Sequence, residues 1–159
     1  MFKKIATGFL AVAATSALAL SLPSAASAST ASHPSYDDYS DYWGPDYAQY
    51  HLAKAQGYVS VSYDDDESNS AYVRGRLWDL DNRSYDEGGK CAYVKFQAED
   101  FDNDWSTVYT KKYCGYPGYK KFSFSTDDVY SLRVKVCQVS PSGYYVNKCG
   151  PWDEIYSAE

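Results

Sequence analysis

The segment CAYVKFQAEDFDNDWSTVYTKKYC, residues 91–114, carries the reading on which the fold rests. Its first half alternates strictly, with Ala92, Val94, Phe96 and Ala98 on one side and Tyr93, Lys95 and Gln97 on the other. That period of two belongs to a strand with one buried face. The second half, Trp105 to Cys114, is rich in β-branched and aromatic residues, which suit a pleated and half-buried surface. Between them, Asp102-Asn103 has the chemistry of a two-residue hairpin turn. Such a turn sets Phe101 opposite Asp104, and ten further steps along each strand bring Cys91 opposite Cys114. Directly opposed residues of a non-hydrogen-bonded pair lie about 4.5 Å apart at Cα, within disulfide range. The spacing therefore predicts a Cys91–Cys114 bridge, and elimination pairs Cys137 with Cys149 around the turn Ser140-Pro141-Ser142-Gly143.

The same alternation extends on both sides. Val59, Val61 and Tyr63 alternate with serines, and a run of acids from Asp64 to Glu67 ends the strand. Ala71, Val73, Gly75 and Leu77 then alternate with Tyr72, Arg74, Arg76 and Trp78. Downstream, Lys121 to Ser125 turns Phe122 and Phe124 inward, and Ser131 to Val139 does the same with Leu132, Val134 and Val136. Tyr144 to Lys148 supplies one more strand. About seven short strands separated by turn chemistry predict an all-β domain, an antiparallel β-sandwich that is Ig-like only loosely, because the expected bridges do not join two sheets across a Trp.

Upstream the pattern changes. Residues 29–44 are Tyr- and Asp-rich without periodicity and read as a flexible leader, which with the segment that follows spans 29–56. Pro45 to Gln56 is a short helix candidate: Pro45 at its first position, Ala48, Leu52 and Ala55 at i, i+4 and i+7, and Gly57 beyond its end. The β domain is expected over 57–159. The chain starts with Lys3 and Lys4, an apolar run from Ile5 to Leu22, and small residues ending Ala26-Ser27-Ala28. That order predicts a secretory signal over residues 1–28, cleaved after Ala28; the competing reading is a membrane anchor, whose length the run approaches. Without a Cys near Ala28 there is no lipid attachment point, so no membrane association is expected after cleavage.

Four cysteines in an exported chain read as two disulfides, and no CxxC pair or neighbouring His favours zinc. The net charge of −6 becomes more negative once Lys3 and Lys4 are removed. An acidic chain of this kind lacks the overall charge that draws proteins to nucleic acid.

Catalytic chemistry has little to work with. The two histidines, His33 and His51, have no nucleophile motif beside them, and all four cysteines are expected to be oxidised. Loop carboxylates at 64–67, 79–87 and 99–104 are numerous enough for a small carbohydrate hydrolase, though turn formation and solubility account for them without it. Asp79, Asp81 and Asp86 offer hard oxygen ligands for Ca²⁺, but the EF-hand pattern is not met. No other cofactor is expected.

The strongest compositional feature is aromatic: 18 Tyr and 4 Trp. Tyr58, Tyr72, Tyr93 and Tyr109 read as half-exposed sheet residues. Gly115-Tyr116-Pro117-Gly118-Tyr119 is different, since a Gly/Pro turn beside a disulfide presents Tyr116 and Tyr119 rigidly. With Trp78 and Trp105 these are the candidate ligand-binding residues. The reading that follows is a secreted, non-enzymatic domain binding an extracellular protein or glycan. A protease inhibitor using residues 115–121, with Lys120 or Lys121 in the protease pocket, is the alternative, and the hydrolase stands third.

The runs Gly75-x-Leu77-Trp78-Asp79, Cys91-Ala92-Tyr93-Val94-x-Phe96, Tyr113-Cys114-Gly115, Phe122-x-Phe124, Val134-x-Val136-Cys137 and Cys149-Gly150-Pro151 resemble a group of small secreted proteins of actinomycete bacteria. The resemblance covers roughly the last two thirds of the mature chain and does not include the Tyr/Asp-rich leader. It implies an exported β-sandwich and supplies no catalytic residues.

Overall fold

The structure, a computed structural model, describes residues 38–63 and 68–158. The expected signal, the first part of the leader with His33, and the acidic loop at 64–67 lie outside the described residues. Nine strands follow one another: β1 (Tyr39–Tyr47), β2 (Ala53–Tyr63), β3 (Asn69–Asp79), β4 (Cys91–Glu99), β5 (Trp105–Tyr113), β6 (Tyr119–Asp127), β7 (Ser131–Val139), β8 (Val146–Asn147) and β9 (Asp153–Ser157). They form two antiparallel sheets, one ordered β1-β2-β3-β6 and the other β5-β4-β7-β8, with β9 also paired to β7.

The inward positions expected from alternation fill one shared core. Val59, Val61, Ala71, Val73 and Leu77 from the first sheet, and Ala92, Val94, Phe96, Leu132, Val134 and Val136 from the second, are all essentially inaccessible. Phe96 is at the centre, its ring centroid 5.0 Å from Phe124, 5.5 Å from Trp43 and 5.7 Å from Phe122. Tyr109 reaches from β5 to stack on Phe124 at 4.5 Å and 7°, so aromatic packing bridges the two sheets along the β5–β6 side. It is therefore partly core, beyond the half-exposed sheet position read for it.

Both disulfides form as expected, with Cα atoms 4.4 Å apart for Cys91–Cys114 and 3.9 Å for Cys137–Cys149. The first is reached by a different turn. Glu99 faces Trp105, so the connection is the five-residue loop 100–104, in which the Asp100 carboxylate accepts the N–H groups of Asp102 and Asp104 at 3.0 Å each. A bulge where Phe96 faces Tyr109 and Gln97 faces Thr107 returns the one-residue difference, and Ala92 meets Tyr113 in the expected register.

The N-terminal segment corrects the reading of the sequence. The helix expected over 45–56 is absent, and so is a flexible leader over 39–56. Tyr39–Tyr47 is an edge strand, only Gln49–His51 makes a single 3-10 turn, and β2 begins at Ala53. Ala53 and Ala55 point into the core with period two, whereas Tyr50 and His51 have φ of 61° and 58°, which no α-helix tolerates. A helix this short gains little by itself, and pairing with β3 along all of β2 outweighs it.

Trp43 explains two glycines. It pairs with Gly57, which pairs with Gly75, which pairs with Phe122, so one row across the sheet reads aromatic, Gly, Gly, aromatic. A Cβ at Gly75 would come within 2.6 Å of the Phe122 ring and 2.9 Å of Trp43. The indole and the phenyl ring occupy the space above the bare backbone.

Candidate functional site

Inward alternation on β2 and β3 forces the intervening residues outward, and the outer face of the β1-β2-β3-β6 sheet is where the chain concentrates aromatic and cationic side chains. Cross-strand register puts Tyr42 beside Tyr58, Tyr58 beside Arg74, Gln56 beside Arg76, and Arg76 beside Lys121. The next row reads Tyr47, Lys54, Trp78, Tyr119. Tyr42 and Tyr58 meet edge-on at 5.3 Å, and Trp78 and Tyr119 lie tilted at 48° with centroids 5.5 Å apart. Cations lie over the rings: Lys54 over Trp78 at 4.4 Å, Arg74 over Tyr58 at 4.9 Å and Arg76 over Tyr119 at 5.1 Å. Each such contact at an exposed site is worth about 0.5–1 kcal/mol, enough to orient a long side chain without immobilising its charge.

This face bounds a groove of about 930 Å³ that also takes in Tyr109 and Lys111 of β5. Its lining includes four cations, Arg74, Arg76, Lys111 and Lys121, and no carboxylate. Tyr42 is 80% exposed and Tyr72 43%. Tyrosine brings a broad, rigid surface with a hydroxyl tip and little rotamer entropy to lose, which favours contact with a ligand.

Of the four expected binding residues, the structure brings Trp78 and Tyr119 together at one end of this face. Tyr116 is an exposed member of the adjoining turn, which closes through Gly118 N–H to the Gly115 carbonyl at 2.7 Å. The Tyr113 hydroxyl packs beneath both glycines of that turn, and the Asp79 carboxylate accepts the Gly115 N–H at 3.0 Å. Trp105 is elsewhere, on β5 of the other sheet, with the Arg133 guanidinium 3.6 Å over its ring. Arg133 is enclosed there: Trp152 is on it too at 4.6 Å, and its Nε and Nη2 donate to Gln97 Oε1 at 3.1 and 2.8 Å. Tyr42, Tyr58, Tyr72, Arg74 and Arg76 were not singled out as binding residues in the sequence. Their alternation with Val73, Gly75 and Leu77 places them on one face, but only the pairing with β1 and β6 shows that they form a surface.

Two of the three carboxylates considered for Ca²⁺, Asp79 and Asp81, have other partners. Asp81, 3% exposed, accepts Arg83 Nε and Nη2 at 2.8 and 2.7 Å, the Lys90 N–H at 3.0 Å and Gln138 Nε2 at 3.0 Å. The Arg83 side chain foremost, and the other donors with it, hold its carboxyl well below the usual range. Asp79 accepts the Asp81 and Gly115 N–H groups, and burial pushes its carboxyl up. Asp86 is exposed on a 3-10 turn, Tyr85–Glu87. Among the described residues no group of three or more His, Cys, Asp or Glu side chains is placed to hold a metal ion. Lys120 and Lys121, expected in an inhibitory loop, instead lie within β6, paired to Leu77 and Arg76. His51 packs against Tyr47 at 4.7 Å. No helix among the described residues is long and apolar enough to cross a membrane.

No protein family and no curated protein matches this chain.

Proposed function

We propose that this chain is a secreted, non-enzymatic binding domain, a β-sandwich exported through a signal at residues 1–28, that engages an extracellular protein or glycan with the outer face of its β1-β2-β3-β6 sheet. One observation carries the reading: two rows of that face, on either side of the Gln56-Arg76-Lys121 row, hold paired rings, Tyr42 with Tyr58 and Trp78 with Tyr119, each pair dressed by a cation rather than covered by another element. Exposed aromatics on a hydrogen-bonded sheet are pre-organised, so a ligand meets little ordering cost. The two disulfides agree with an oxidising compartment.

The test is a binding screen of the exported form against neutral and charged glycans and extracellular proteins, with Tyr58→Ala, Trp78→Ala and Tyr119→Ala beside the wild type. Loss of about tenfold or more in affinity for each variant is expected if the rings carry the contact. Trp105→Ala, on the opposite sheet, should bind as the wild type does. Wild-type binding by all three sheet variants would remove this face from the account.

A further inference from the structure

The charge on this face is out of keeping with the chain that bears it. The protein has 21 acidic and 15 basic residues, yet the groove lining holds four cations and no carboxylate. Arg76 and Lys121 are directly opposed on neighbouring antiparallel strands. Like charges so placed repel and destabilise the pairing. Arg74 adds a third charge two residues along the same face of β3, roughly 6–7 Å away. Among the described residues none of Arg74, Arg76, Lys111 and Lys121 forms an ion pair; the salt bridge found there is Arg83–Asp81, in the loop that follows β3. The guanidinium groups of Arg74 and Arg76 lie over Tyr58 and Tyr119 and have no hydrogen-bond acceptor among the described residues.

From this we infer that the groove binds an anionic polysaccharide, a sugar polymer carrying repeated carboxylate or phosphodiester groups. The inference rests on the binding face proposed above and names its ligand class. A chain of spaced negative charges would relieve the Arg76–Lys121 repulsion and occupy the free guanidinium donors, which form charge-assisted hydrogen bonds with carboxylate or phosphate. Tyr42, Tyr58 and Tyr72 would take the sugar rings, presenting flat apolar faces and hydroxyl tips. A neutral glycan would use the tyrosines and leave the charges unrelieved. Nucleic acid shares the anionic chemistry, but its affinity comes from neutralising many phosphates, and this groove offers four cations.

Calorimetric titration of the exported protein with four polymers tests this: polygalacturonate, a phosphodiester-bearing mannan, neutral dextran and oligothymidylate. Both anionic sugar polymers, or one of them, should bind at least about tenfold more tightly than dextran or oligothymidylate. Whichever of the two binds tighter identifies carboxylate or phosphodiester as the charge recognised. Binding should weaken as salt is raised, since the groove is open to solvent. The double variant Arg74→Gln/Arg76→Gln should lose about tenfold or more for the anionic polymer while its thermal midpoint changes little, because the relieved repulsion and the lost Arg–Tyr contacts are of similar size. Equal binding of dextran, tighter binding of oligothymidylate, indifference to the double substitution, or no binding of either anionic polymer would each overturn the inference. If dextran binds and Tyr58→Ala abolishes it while the arginine variant does not, the aromatic face stands and its anionic ligand falls. If neither substitution changes the binding of any polymer, both fall.

Discussion

Replacing Asp81 should cost this domain a large share of its stability, and the structure gives the size. Its carboxylate, 3% exposed, accepts from Lys90 N–H, from Gln138 Nε2 and from two nitrogens of Arg83. In Asp81→Ala the Arg83 guanidinium, on a side chain 40% exposed, turns to water at small cost, so the surface part of the pair contributes about 0–1 kcal/mol. Gln138 has no such route. It is wholly buried and its Oε1 already has no partner, so losing Asp81 strands its amide nitrogen as well. A stranded buried donor costs about 1–3 kcal/mol, and with the Lys90 N–H the total comes to about 3–5 kcal/mol. Against the 5–15 kcal/mol typical of a domain, that moves a urea midpoint by about 2 M. The dependence on pH has a definite sign. The carboxyl is held below its unfolded value, so its stabilisation is complete above about pH 4 and is lost as pH falls further. Urea unfolding of wild type and Asp81→Ala at pH 7 and pH 2.5 checks both points: the gap should be wide at the first and narrower at the second. Adding Gln138→Leu to Asp81→Ala should recover part of the stability, since both side-chain polar partners are then gone. A gap under 1 kcal/mol at pH 7, or an equal gap at both pH values, would refute the reasoning.

Asp46 should act in the opposite direction. Burial, and secondarily the nearby charge of Asp153, raise its carboxyl to about 6, so the fold is favoured with the proton on and stability falls as pH rises from about 4 to 6. Because the group is only about half buried, the slope corresponds to about 1 kcal/mol, and Asp46→Asn should flatten it in pH-dependent thermal melts. Gly75→Ala, whose added carbon meets Phe122 at 2.6 Å, should destabilise by about 1–3 kcal/mol in urea, and Phe122→Leu in the same chain should restore part of that loss. Removing the Cys91–Cys114 bridge, which spans 23 residues, should cost about 3 kcal/mol by the loop-entropy argument, and opening Cys137–Cys149, spanning 12, somewhat less; reduced and oxidised melts measure both.

Where a strand keeps one face buried along its length, the sequence shows it. β3 and β4 alternate cleanly, and β7 does so from Leu132 to Val136, because each lies inside a sheet, and these inward residues were legible one by one. β1 was not. Its inward positions are Tyr39, Asp41 and Trp43, and the exposed Asp41 between two core-packed aromatics breaks the apolar pattern. β9 was missed for another reason: a register shift against Leu132 and Arg133 buries the consecutive residues Ile155 and Tyr156, so no period survives. The hairpin shows that a correct register can rest on a different turn, since the bulge near Gln97 restores the residue that the five-residue loop removes. Within the site, Trp78 and Tyr119 were named from their type, whereas Arg74 and Arg76 were hidden by the overall charge. Net charge is a sum over the chain, and a ligand meets only the part that the sheet register brings together.

The two outer faces use the same chemistry to different ends, and this contrast locates the site. On the second sheet Arg133 lies between Trp105 and Trp152 and donates twice to Gln97, while Lys135 lies over Trp152 at 4.5 Å. Its flat faces and part of its donor fork are occupied, so that cluster braces β4, β5 and β7 and offers a ligand little. On the first sheet each guanidinium has one ring beneath it and solvent above. A cation held on one side keeps its donors for an incoming anion, and the ring that holds it also fixes where that anion must sit. Arg133→Gln should therefore lower the unfolding midpoint and leave polymer binding intact, whereas Arg74→Gln/Arg76→Gln should do the reverse. If the two substitutions gave the same pair of readouts, the distinction between a brace and a binding face would have no physical content.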